Sequence, residues 1–491
     1  MSHEKQSKNV PQPSRSSRRP RTSGASGADL QRDLTLLLGA DAVLPGRTAA
    51  YLSDATESRK LRGRADAIAL PDSARQVATT VSWCYDHDVP IVPRGGGTGY
   101  AGGAVPLDGG VVLSLERLRG PAQIDPQLWR AWVPAGVLTA SLRRQARENG
   151  LLFGPDPGAA EQSQIGGNVA TNAGGPHAFK YGVTGAWVTG LEVVIAPGEL
   201  VRVGGALRKD VAGYDLRSLL VGSEGTLGVV TGAWVRLIPA PEMALPVVAV
   251  FADAEAGCAA LLSVLANGLS VAALEYLDGG AVAITRAAFP IELPSASGFM
   301  LIAEADGSAA EAERLREELL EVLGEQAVAT YAPTDPGAIR RLWRWRDGVS
   351  LTVGAQRGGK VSEDIVVPLD RFAEALETTL AIGRRHSLPA CSWGHAGDGN
   401  LHATFLIDAD DPAELERAER AAADLFALAA TLDGSISGEH GVGWVKRGAL
   451  ERQWSAPAVA LHEAVKAAFD PKGLLNPGKK LARVSFPAVT E

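Results

Sequence analysis

The sequence predicts an α+β fold overall: α/β alternation in the first half, then an α+β domain built of strand–helix pairs. Three observations predict it. Strand and helix patterns alternate through residues 29–118, and glycine-rich loops separate strand patterns through 120–240. From residue 243 onward, each strand pattern runs directly into a helix.

The elements follow in order. LQRDLTLLLG, beginning after Asp29, has helical spacing and stops at Gly39. PDSARQVATTVSWCYDHDV, 71 to 89, reads as a helix: Pro71 and an Asp72/Ser73 cap precede Val77, Val81, Cys84 and Tyr85. PIVP is a short strand, RGGGTGYAGGAVP a loop, and VVLSL at 111–115 a second strand. WRAWVPAG, TGLEVVIA and VVTGAWVRLI are the strands of the next segment, with a helix at 138–149. LPVVAVFADAEAGCAALLSVLANG, GFMLIAEADGSAAEAERLREELLEVLG and DIVVPLDRFAEALETTLAIGRRH are strand–helix pairs, and a further helix covers 412–432. Their sheet is expected to be covered on one face. The boundaries are a disordered tail at 1–28, a unit at 29–241 split near 118, a second unit at 242–435 and a C-terminal segment at 436–491 that returns to the first.

Bulk properties narrow the function. A chain of 491 residues is long enough for about three folding units. A formal charge of −8 argues against a general nucleic-acid binder. Three distant cysteines, Cys84, Cys258 and Cys391, fit a reducing compartment and cannot alone hold an iron–sulfur cluster. No apolar run reaches the roughly 18 residues of a transmembrane helix. A cytoplasmic location is expected, with peripheral membrane association left open. The tail is basic, but no apolar stretch follows to make it an export signal, and Pro11, Pro13 and Pro20 spoil an amphipathic helix.

Gly97, Gly99 and Gly102 match GxGxxG, the dinucleotide fingerprint, but that fingerprint needs a helix opening directly after the loop. Here AVPLDGG and a strand follow, so the match is a decoy. What RGGGTG does offer is a run of backbone N–H groups that can converge on an anion. Three further glycine-and-hydroxyl segments, GPDPGAAEQSQIGGN, ATNAGG and GSEGTLGVVTG, lie in the same half of the chain.

In this order and spacing PRGGGTGYAGGAVP, IGGNVATNAGG, KDVAGYDL and GSEGTLGVVT resemble the FAD domain of the vanillyl-alcohol-oxidase/PCMH flavoprotein superfamily. The C-terminal half is similar to its glycolate-oxidase, D-lactate-dehydrogenase and D-2-hydroxyglutarate-dehydrogenase branch. The resemblance implies a PCMH-type FAD-binding domain of two α/β subdomains and, over the flavin, an α+β cap domain with an antiparallel sheet. Carried over by position, Arg94, Gly95, Gly96, Gly97, Thr98 and Gly99 would hold the pyrophosphate. Pro155, Asp156, Gly167, Asn168, Thr171, Asn172 and Gly174 would line the flavin and ribityl chain. Glu224, Gly228 and Val230 would sit by the adenine, and Asn476, in FDPKGLLNPGKK, by the flavin edge. No histidine falls between Arg94 and Pro106, so the expected FAD is noncovalent.

WGHAGDGNLH, 393 to 402, carries two histidines around strong turn chemistry. A hairpin centred between Asp398 and Gly399 would set His395 opposite His402. GEHG, 438 to 441, supplies Glu439, and His₂Glu with an open position is a standard zinc set that does not exclude Mn or Fe. The resemblance assigns His395, His402 and Glu439 as ligands of a divalent metal. His440 is then the expected base for a substrate hydroxyl whose pKa the metal lowers. In the family pattern the positions of Arg346, Ser350 and Lys360 bind substrate, and Thr404 stands where the hydroxyglutarate enzymes carry Asn.

The expected activity is FAD-dependent oxidation of a D-2-hydroxy acid such as lactate, glycolate or 2-hydroxyglutarate, with hydride transfer to flavin N5. Electrons would pass to a separate acceptor: a flavoprotein, a quinone, an iron–sulfur subunit or oxygen. A metal-independent FAD oxidase of alcohols or sugars, and a noncatalytic flavin-binding subunit of a larger complex, are the alternatives.

Overall fold

The computed structural model describes residues 27–481; residues 1–26, and with them nearly all of the expected tail, lie outside the described residues. The first sheet runs in the order Val43–Pro45, Ala67–Ala69, Val111–Ser114, Ile91–Arg94, and its last three strands are parallel. Parallel neighbours need a crossover, and helix Ala74–Asp86 provides one. Ser73 caps it by accepting from the Gln76 N–H, and buried Val77, Val81 and Tyr85 share a core with Ile91, Val111 and Leu113. Residues 95–110 contain no helix, so the glycine run opens onto loop and then strand.

A second sheet is wholly antiparallel, in the order Gln123–Asp125, Arg130–Pro134, Val229–Arg236, Val188–Ile195, Glu199–Gly204. The C-terminal segment returns to the first sheet. Ile91 donates its N–H to Leu474 and accepts from Asn476, at 2.8 and 2.7 Å.

The third sheet has seven antiparallel strands: Ala329–Tyr331, Met243–Phe251, Phe299–Gly307, Ala273–Asp278, Ala390–His395, Asn400–Asp408 and Gly358–Val366. It is covered on both faces, not on one as the sequence suggested. Val247, Ala249 and Phe251 pack with helices Ala254–Ala266 and Ala309–Gly324. Val248 and Val250, pointing the other way, pack with Leu342, Trp345, Val349 and Val353. Those four lie on helix Pro336–Ala355, which the strand–helix pairs above do not include. Burying each such side chain contributes about 1.5–3 kcal/mol.

That second face is divided. The helix covers its apolar part, and its polar part meets the first half of the chain. Glu304, Glu275, His395, His402 and Asp364 share this face by register. His177 reaches Glu304 from the other side at 2.7 Å, and Lys180 and Tyr181 both bond Asp306. No helix among the described residues is long and apolar enough to cross a membrane.

Candidate active site

Between the first two sheets lies a cleft of about 1290 Å³, counting its open mouth. Arg94, Gly95, Gly96, Gly97, Thr98 and Gly99 form one wall, and Gly167, Asn168, Thr171 and Gly174 another. Glu224, Gly228 and Val230 form a third. Helix Ile165–Thr171 contains two glycines, which cost about 1 kcal/mol each relative to alanine. At Gly166 a Cβ would lie 2.7 Å from the Ala135 methyl, so only glycine lets this helix settle against the second sheet. Below it Asn168 donates to Thr139, which pairs with Ser163, each at 2.7 Å.

Four expected lining residues are elsewhere. Pro155 is buried outside the cleft, and Asp156 turns its carboxylate onto His177. Asn172 is a left-handed helix cap whose side chain accepts from Gly185 at 2.7 Å. Asn476 donates to the carbonyls of Gly103 and Glu224, so it joins two wall segments from behind. Arg94 lines the cleft, but its guanidinium nitrogens are committed to the carbonyls of Ser53 and Ala50.

At one end the cleft wall includes Glu439 and His440. Glu439 Oε1 is 3.2 Å from His395 Nε2 and 3.6 Å from His402 Nε2. The three ligand atoms lie within 4.8 Å of one another, a separation that fits one cation between them. The hairpin is centred one residue earlier than expected: His395 pairs with Asn400, and His402 with Trp393. Residues 396–398 form a 3₁₀ turn closed by Gly399 at φ +65°, which lengthens the loop on the N-terminal side. The shift preserves the face, so the imidazoles meet diagonally with ring centroids 5.1 Å apart.

Two carboxylates unforeseen in the sequence set this geometry. Glu275 accepts from His395 Nδ1 at 2.6 Å, leaving Nε2 toward Glu439, and its other oxygen pairs with Arg346. Burial alone would raise Glu275, but His395 and Arg346 hold it below the usual carboxylate range. Asp364 accepts the N–H groups of Gly438, Glu439 and His440 at 2.8, 2.6 and 3.0 Å. Burial would raise it too, but His440, Lys446 and those N–H groups hold it well down. For Asp364 the signal was present: Lys360, Ser362 and Asp364 alternate along one face of their strand.

From the opposite side Glu224 accepts from Val442 and Gly443 at 2.9 and 2.6 Å. It holds a left-handed φ of +55°, a strained backbone for a glutamate. Gly174 completes the fit, since a Cβ there would stand 2.8 Å from Glu439 Oε2. Burial, with His440 and His395 nearby, pushes His402 well below its ordinary pKa, so its imidazole is neutral and able to ligate. His440 stacks on His402 at 5.0 Å, with Nδ1 3.5 Å from Asp364.

The expected substrate residues are only partly open. Arg346 already has a carboxylate partner in Glu275. Lys360 Nζ donates to the Ser350 carbonyl at 2.8 Å and also bonds the Ser350 hydroxyl. Thr404 lies deeper than expected of a substrate contact: it has no exposed surface, and its hydroxyl pairs with Ser362 at 2.8 Å.

Fold and cleft together fit an enzyme that holds a long, phosphate-bearing cofactor along its glycine loops. Two family models match, the FAD binding domain over residues 65–204 and the C-terminal domain of FAD linked oxidases over 240–480. The chain is 38% identical over 435 residues to the glycolate oxidase subunit GlcD of Bacillus subtilis (strain 168), covering 88% of this chain and 92% of that one. It is 38% identical over 427 residues to a D-2-hydroxyglutarate dehydrogenase of Xanthomonas citri pv. viticola, covering 84% and 88%. The structure of p-cresol methylhydroxylase with substrate bound aligns with a TM-score of 0.76 at 17% identity, over 93% of this chain and 97% of that one, a likeness of fold alone. The chain belongs to the FAD-linked oxidase family, among relatives that include proteins named glycolate oxidase subunit and D-2-hydroxyglutarate dehydrogenase, and it is an FAD-dependent oxidoreductase.

Proposed function

We propose that the chain oxidises a D-2-hydroxy acid of the glycolate, lactate or 2-hydroxyglutarate type to the 2-oxo acid. One observation carries the reading: Glu439 and His440 line the FAD cleft while Glu439 also joins His395 and His402 in a ligand cluster. When bound, FAD supplies a hydride acceptor at N5, and a divalent cation supplies a Lewis acid that lowers a hydroxyl pKa.

The chain's own residues do the rest. His395, His402 and Glu439 would hold the cation, a donor set suited to Zn and open to Mn or Fe. Glu275 fixes the His395 ring, and Asp364 with Glu224 fixes the loop that presents Glu439. His440 accepts the hydroxyl proton as the α-hydrogen leaves with its electron pair. Arg346 and Lys360 offset the substrate carboxylate, with Ser350 orienting the lysine.

FAD is held noncovalently. Among the described residues His440 is the one histidine that lines the cleft, and His87 lies at a helix end stacked on Trp83. The two chemical halves are assigned to 29–241 and 242–435, with 436–491 closing the first. A separate acceptor, whether flavoprotein, quinone or iron–sulfur subunit, takes the electrons, since the three cysteines are buried and far apart. The name of the Bacillus subtilis relative, a subunit, agrees with such a partner. A cytoplasmic location suits the reduced thiols.

The test is an anaerobic titration of the FAD-loaded protein with D- and L-2-hydroxy acids, following flavin absorbance. Bleaching by D acids is expected; bleaching by none of them refutes the reading.

A further inference from the structure

We infer that Tyr100 is a positioning residue for His440, an inference that rests on the reading of His440 as the proton acceptor. Tyr100 closes the RGGGTG run, where an anion-binding backbone has no need of a ring. Its ring lies 4.6 Å from the His440 ring, tilted by 38°, and lines the cleft with 43% of its surface exposed.

The need for such a residue follows from His440's other contacts. Nδ1 stands 3.5 Å from Asp364 and Nε2 3.9 Å from Glu439, both beyond the roughly 2.7–3.2 Å of a well-formed hydrogen bond. Ring packing therefore sets the plane of the imidazole. One ring neighbour is His402, from the third sheet, at an interplanar angle of 4°. The other is Tyr100, from the FAD-binding half. The base is thus aimed by side chains from both halves, and a contact of this kind biases conformer populations by roughly 2- to 12-fold.

The experiment compares Tyr100→Ala and Tyr100→Phe in FAD-loaded, metal-supplemented protein. The alanine variant is expected to lose roughly tenfold in kcat with KM within about threefold, at unchanged FAD content. The phenylalanine variant, which keeps the ring, recovers kcat to within about threefold of the parent. A second readout needs no turnover: carbethoxylation of His440 by diethyl pyrocarbonate, followed by peptide mass spectrometry. It should run several-fold faster in Tyr100→Ala only. Unchanged kcat and labelling in the alanine variant, or an equal loss in both variants, would overturn the inference. If no hydroxy acid reduces the parent protein, the functional reading fails, while the labelling rates still decide whether Tyr100 holds His440.

Discussion

Asp364 and Glu224 belong to different halves of the chain, yet they grip one loop from its two ends. Asp364 takes the N–H groups of residues 438–440, and Glu224 those of 442 and 443. Glu439 and His440 are therefore fixed relative to both the third sheet and the FAD cleft.

Replacing Asp364 by alanine takes from buried Lys446 the nearer of its two carboxylates, leaving Glu363 at 3.6 Å, and strips three loop N–H groups of their acceptor. Breaking a buried pair by removing one member costs about 3–5 kcal/mol. Denaturant unfolding should show a loss of that size, and the folded fraction should retain less metal. A loss under about 1 kcal/mol would mean the loop is held by other contacts.

Glu224→Gln keeps the shape but weakens two charge-assisted bonds to the loop. A cost of about 1–3 kcal/mol is expected, together with weaker FAD binding to the apoprotein in a fluorescence titration. Parental FAD affinity would show that the loop does not shape the cleft.

Glu275→Gln should weaken zinc binding by about 10- to 100-fold, the usual effect of removing the carboxylate that orients a ligating histidine. Competition against a chromogenic chelator measures it. Parental affinity would place the metal away from His395.

The contact between the halves should respond to pH. His177 bridges Asp156 and Glu304. Burial pulls its pKa down, but the two carboxylates push it well above the ordinary 6.5. Burial raises Asp156, but His177 and Arg143 bring it below the ordinary 3.8. The histidine's contribution is full below its unfolded value and fades as pH rises through the raised folded value. The aspartate's is full above its unfolded value and fades only as pH falls through the lowered one. The stability difference between parent and His177→Gln should be largest from about pH 4 to 6.5 and shrink above that. A difference that grows above pH 7 would contradict this.

Much of this was legible in local sequence. The glycine runs line the cleft, and at Gly96 and Gly166 a Cβ would collide with the Gln162 carbonyl and the Ala135 methyl; the missing helix after RGGGTG excluded a Rossmann site from the sequence alone. WGHAGDGNLH was legible as a hairpin and its face as shared, but not its register, which depends on the 3₁₀ turn at 396–398. Helix Pro336–Ala355 was hidden by the arginines and tryptophans interleaved with its apolar stripe. Asp364 and Glu275 were not assigned because their partners lie 75 and 120 residues away, a separation only the folded topology closes.

We propose that one loop joins a His₂Glu cation site to the FAD cleft for hydroxy-acid oxidation. The most direct test is anaerobic flavin reduction by a D-2-hydroxy acid after chelation, and again after Zn or Mn is restored, with metal content measured at each stage. The account predicts reduction lost with the metal, regained with it, and absent throughout in His402→Ala. Full-rate reduction by metal-free protein would contradict it.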